Sequence, residues 1–163
     1  MVDSVQFAKQ HAVVRCSVPV SEFKRLVQVV HEERGNFDIS LEGFEDSEGS
    51  YCLRLHVDGF MTVTCQRCLE PLALQITSDR DFVLVEREQD LMQLGDEVDD
   101  IESLLVDQKL DVLGLAEDEI MLQMPMAPVH GENKCERPRW SGDVHNENSA
   151  FSVLSVLENA KDR

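Results

Sequence analysis

Apolar residues recur along the chain with two different periods, and these divide it into elements. From Ser21 onward, Phe23, Leu26, Val27 and Val30 fall at three- and four-residue spacing, and Gly35 closes the segment. Glu22, Lys24, Arg25, Glu32 and Glu33 occupy the other side. This predicts a short amphipathic helix that packs on a sheet. From Asn36 the period becomes two. Phe37, Ile39 and Leu41 alternate with polar residues, 45–49 reads as a turn, and Leu53, Leu55 and Val57 alternate next. Asp58-Gly59 is then a two-residue hairpin signal, followed by alternation of Met61, Val63 and Cys65. After a break at 68–71, Leu72, Leu74 and Ile76 alternate, with a continuation through Phe82, Leu84 and Val85.

The expected class is therefore α+β: an antiparallel β-meander of about four strands packed by two or three helices. Closure toward a small barrel is a variant of the same pattern. Residues 86–102 lack a sustained period and read as an acidic loop, and 103–106 adds a short strand. Asp111 is placed to cap a second helix that carries Val112, Leu115, Ala116, Ile120 and Met124 inward, and Pro125 ends it. Residues 129–148 are polar and rich in turn formers, an irregular segment in need of a tether. Phe151, Val153, Leu154 and Leu157 fit a short terminal helix within 149–163. No repeat or linker separates two cores, so 1–163 reads as one domain.

Charge changes the functional picture. The 163 residues include 32 acids and 15 Lys plus Arg, a net −17. Nucleic-acid affinity comes largely from clustered cations that neutralise phosphates, so the whole surface repels RNA, DNA and anionic membrane. The imbalance is local: 86–119 carries 13 acids against 2 bases. Such a block is either a solvated loop or a lure for a basic partner. The first ten residues hold no signal-like apolar run, and no stretch is long enough to span a bilayer. The expected compartment is the cytoplasm, where five cysteines are not a disulfide framework.

Cys65-Gln66-Arg67-Cys68 stands at a strand end, with Pro71 opening the next strand. Two thiolates two residues apart in such a turn form half of a tetrahedral zinc site. Cys135 and His130 are candidates for the other half, with His145 as an alternative fourth ligand. A Cys3His site from Cys65, Cys68, His130 and Cys135 would tie the irregular segment to the hairpin. Two other readings stay open: packed cysteines without metal, and a redox dithiol, which expects a helix start after a βαβ strand. No nucleophile–base–acid set or phosphate-cradling glycine loop stands out, and His56 reads as an outward-facing strand residue. A binding or assembly module, not an enzyme, is expected.

The segment from Cys65 to Pro71, CQRCLEP, resembles the large ribosomal RNA subunit accumulation protein family (YceD-like), in its proteobacterial branch. The run from Glu117 to His130, then Cys135, then SAFSVLSVL at 149–157 agree in order and spacing. Ser149-Ala150 stands where the family ending has Asn-Pro. The resemblance covers the chain from about residue 15 onward. It implies a role in the synthesis, processing or stability of 23S ribosomal RNA, and it carries over no catalytic residue.

Resemblance and charge combine into two expectations. In the first, the acidic segment holds a basic ribosomal or other large-subunit assembly protein through Asp96, Glu97, Asp99 and Asp100, with Phe151, Leu154 and Leu157 as an apolar anchor. Ribosomal RNA is then reached indirectly. In the second, Arg67, Arg137, Arg139 and Trp140 form a small basic–aromatic patch beside a zinc knuckle and contact single-stranded rRNA directly.

Overall fold

The computed structural model describes residues 1–87, 101–131 and 135. Its strands are β1 (Val13–Pro19), β2 (Val30–Glu45), β3 (Tyr51–Thr64), β4 (Pro71–Val85) and β5 (Ile101–Leu105), with helices α1 (Ser4–Lys9) and α2 (Val112–Gln123). They form one sheet in the order β1-β2-β3-β4-β5. Neighbours are antiparallel from β1 to β4, and β5 runs parallel to β4. The class is α+β as expected, with four antiparallel strands and the short β5 beside them. The sheet is open, so the barrel variant does not form.

Apolar residues on alternate strand positions build the core. Phe37, Ile39 and Leu41 of β2, Leu53, Leu55, Val57, Met61 and Val63 of β3, and Ile76 and Phe82 of β4 are buried together. On β3 these positions keep one parity through Gly59, so the two alternating runs are one strand, not two strands of a hairpin. Gly59 lies opposite Phe37. A Cβ there would come within 2.2 Å of the Asn36 carbonyl oxygen and 2.6 Å of the Phe37 ring. The glycine makes room for a neighbouring strand, and the expected turn at Asp58-Gly59 is corrected accordingly.

The helix expected from Ser21 is also replaced. Val20, Phe23 and Leu26 are buried at a strict spacing of three, which matches the two 3-10 turns Val20–Glu22 and Leu26–Gln28. The β-branched Val29 and Val30 then lead into β2, whose pairing slips twice before Gly35, which takes a left-handed φ of +144°. Strand β1 and helix α1 had no clear periodic signal. The helix is six residues long, begins on Asp3, whose carboxylate accepts the Gln6 N–H at 2.9 Å, and presses Ala8 against Gly43.

Helix α2 follows Asp111, which holds the N-cap position without a side-chain capping bond. It buries Ala116 and Ile120, with Val112, Leu115 and Met124 packed at the margin. Two of its acids are buried as well. Glu117 accepts from the backbone N–H groups of Arg25 and Leu26, and Glu119 from the Ser78 hydroxyl, Arg80 and Gln123. No buried side-chain polar atom among the described residues lacks a partner. Among the described residues, no helix is long and apolar enough to cross a membrane.

Candidate metal centre

The turn between β3 and β4 carries the CxxC. The Cys65 N–H donates to the Glu70 carbonyl at 3.0 Å, and the Leu69 N–H donates to the Cys65 carbonyl at 2.9 Å. Closing so tight a turn puts Leu69 in the left-handed region, at φ +65°. Both sulfurs then face the side where the chain returns from α2. Beyond Pro125, the Pro128 carbonyl accepts the Gln66 N–H at 2.8 Å, which registers the returning segment against the turn.

That register brings His130 and Cys135 to the two sulfurs. One ligand atom each from Cys65, Cys68, His130 and Cys135 lies within 4.8 Å of all the others. Cys65 Sγ is 3.7 Å from Cys135 Sγ, and Cys68 Sγ is 3.4 Å from His130 Nδ1. A tetrahedral zinc with bonds of about 2.3 Å to sulfur sets its sulfurs about 3.8 Å apart, so the spacing fits. A disulfide requires about 2.05 Å and is not formed, and all five cysteines are free thiols.

The surrounding groups suit a metal. His130 Nε2 lies 3.1 Å from the Pro71 carbonyl oxygen, so it donates there and leaves Nδ1 turned to the sulfurs. This is the outer-shell contact that fixes the tautomer of a ligating histidine. Three thiolates around a dication leave one negative charge, and Arg67 supplies its counterpart. Its guanidinium reaches the His130 carbonyl at 3.3 Å, and its cation is favoured foremost by the Cys135 sulfur.

The acidities show packed donors competing for protons. Burial pushes the Cys65 thiol up, but the backbone N–H groups of Cys68, Arg67 and His130 outweigh it and bring the thiol to about 5. The N–H of Glu70 favours the Cys68 thiolate, yet burial and the sulfurs of Cys135 and Cys65 raise Cys68 to about 11. Cys135 is lowered, because Arg67, Cys68 and His130 overcome its burial. His130 is raised, chiefly by Cys135 and then Cys65. A cation at the centre would take the place of these protons.

The four candidate ligands that sequence spacing singled out thus lie together. The CxxC lies in a turn between antiparallel strands and starts no helix. Three supporting groups were not foreseen: the Pro71 and Pro128 carbonyls, which carry no side-chain signal, and Arg67 as a partner of the cluster. His56 does face outward, with Nδ1 2.7 Å from Asp79 Oδ1. Asp96, Glu97, Asp99, Asp100, Arg137, Arg139, Trp140, His145, Phe151, Leu154 and Leu157 lie outside the described residues, as do the expected terminal helix and most of the expected acidic loop and irregular segment.

A model of the family described as large ribosomal RNA subunit accumulation protein YceD matches residues 53–159, well over half of the chain. The chain belongs to this family. The match spans the CxxC turn, α2 and all four candidate ligands. The YceD protein of Haemophilus influenzae (strain ATCC 51907 / DSM 11121 / KW20 / Rd), large ribosomal RNA subunit accumulation protein by name, is similar. It is 23% identical over 119 residues, which are 71% of this chain and 66% of that protein. The aligned stretch falls just short of two-thirds of the relative's length. No solved structure matches the chain significantly.

Proposed function

We propose that this protein is a non-enzymatic cytoplasmic factor in large ribosomal subunit biogenesis. It supports the synthesis, processing or stability of 23S ribosomal RNA by holding a basic protein of the assembling subunit. Membership of the YceD family carries the link to large-subunit rRNA. Net charge carries the choice of partner: at −17 the chain attracts lysine- and arginine-rich proteins and repels a phosphate backbone. We assign the acidic stretch containing Asp96, Glu97, Asp99 and Asp100 to steering that association, with Phe151, Leu154 and Leu157 as its apolar anchor.

In the same reading, Cys65, Cys68, His130 and Cys135 hold a structural zinc. The ion supplies no chemistry beyond binding; it tethers the segment after α2 to the β3–β4 turn. Direct contact with single-stranded rRNA is the second reading. Arg67 is its described residue, and that guanidinium is already engaged by Cys135 and the His130 carbonyl, so the partner reading is preferred.

Affinity capture of the tagged protein, with identification of bound proteins and RNA, tests the proposal. It expects basic large-subunit proteins, recovered less as salt rises, and reduced 23S rRNA on depletion of the factor. Capture of naked 23S fragments without protein, or unchanged capture after neutralising Asp96, Glu97, Asp99 and Asp100, overturns the partner reading.

A further inference from the structure

The strand residues of the core cluster share one sheet face, under α1, the 3-10 turns and α2, whereas the buried Cys52 and Val85 have the opposite parity. Apart from the 46–50 turn against Cys52, the opposite face meets no described helix, and its side chains stand in rows set by the strand register. Glu42, Arg54 and Asp81 form one row, and Ser40, His56 and Asp79 the next. In these rows a carboxylate is matched by a basic side chain: Arg54 pairs with Asp81 through two nitrogens at 2.7 Å, and the His56 ring lies 2.7 Å from Asp79.

The third row breaks the pattern. Asp38 and Asp58 stand directly opposite one another, flanked by Ser17 and Thr77. Their hydrogen-bond donors are neutral: the Ser17 hydroxyl to Asp38, and the Thr77 hydroxyl with the Gln75 amide to Asp58. Like charges directly opposite on a sheet cost stability, and folding gains nothing from this pair. Beside it the short side chains of Ser17 and Ser40 leave an open depression of about 480 Å³, bordered also by Asp38, Arg15 and His56.

We propose that this open sheet face is a docking surface for an arginine- and lysine-rich polypeptide, with one of its side-chain cations seated over Asp38 and Asp58. The inference rests on the partner reading above and adds where on the fold the partner is held. Charge complementarity selects the occupant. Glu42, Asp38, Asp58, Asp79 and Asp81 are set against Arg15 and Arg54, so the face keeps an excess of carboxylates, and its uncompensated pair is central. A side chain entering the depression supplies the cation that the third row lacks, and the matched rows set its position along the strands.

The test titrates the full-length, 15N-labelled protein with a synthetic peptide of repeated Arg-Gly-Lys-Gly units at low salt. Amide shifts of Ser17, Asp38, Ser40 and Asp58 are expected. The double substitution Asp38→Asn with Asp58→Asn should weaken binding by about fivefold or more, while the melting temperature holds or rises. Asparagine still accepts from Ser17 and Thr77, so lost binding with a retained fold is not a structural defect. Glu22→Gln with Glu48→Gln, an equal charge change elsewhere, should leave the affinity unchanged. Equal binding by the Asp38/Asp58 variant, or shifts confined to 88–100, overturns this surface while leaving a basic partner in place. Absence of any binding also overturns it, and the capture experiment then decides the partner reading separately.

Discussion

Glu117 holds the loop that ends at β2: its Oε1 accepts the N–H of Leu26 at 3.0 Å and that of the preceding Arg25 at 2.6 Å. Those amides open the second 3-10 turn and have no partner within it. The carboxylate of α2 therefore does the work of a capping side chain from 91 positions away. Glu117→Ala leaves the buried Leu26 amide unsatisfied and should cost about 2–3 kcal/mol in denaturant unfolding. Glu117→Gln keeps the acceptor and should cost about 1 kcal/mol.

The same contact sets an acid limit. Burial opposes ionisation of Glu117 and of Glu119, but the Arg25 and Leu26 amides for the first, and Ser78, Gln123 and Arg80 for the second, hold both below the usual 4.5. The stability they contribute is complete above that value and is lost as pH falls through the lower folded-state values. Thermal unfolding from pH 7 down to 3 should show it. The fall should begin near pH 4.5, and Glu117→Gln should flatten it.

Gly59→Ala should destabilise the protein by about 2–3 kcal/mol, because the new methyl meets the Asn36 carbonyl and the Phe37 ring. The midpoint of urea unfolding should fall accordingly.

Thiol labelling should distinguish the cysteines. Cys16 is exposed, whereas Cys52 is 3% exposed and burial raises its thiol to about 11. Iodoacetamide at neutral pH should modify Cys16 promptly and Cys52 only on unfolding. A folded value above the ordinary 9.0 also means that the contribution of Cys52 is complete below pH 9 and is lost as pH rises toward 11.

Much of this was legible in the sequence. Period-two runs located β2, β3 and β4, because a sheet with one buried face writes its parity into the chain. The turn signal at Asp58-Gly59 misled, since glycine serves both tight turns and close strand approach. The shared parity of Leu53 and Met61 was the discriminating clue. Phe23, Leu26, Val27 and Val30 misled because spacings of three and four coexist over so short a stretch. At the candidate metal centre, the CxxC turn and His130 with Cys135 could be paired from ligand chemistry alone. The Pro71 and Pro128 carbonyls could not, because backbone acceptors leave no mark in a sequence.

The most direct test of the metal centre is the metal content of protein purified without added zinc. One zinc per chain is expected. It should be lost alike in Cys65→Ser and Cys135→Ser, with the loss confined to the segment after α2 and the sheet left intact. Wild-type protein that is folded, metal-free and unchanged in melting temperature on adding zinc would contradict the account.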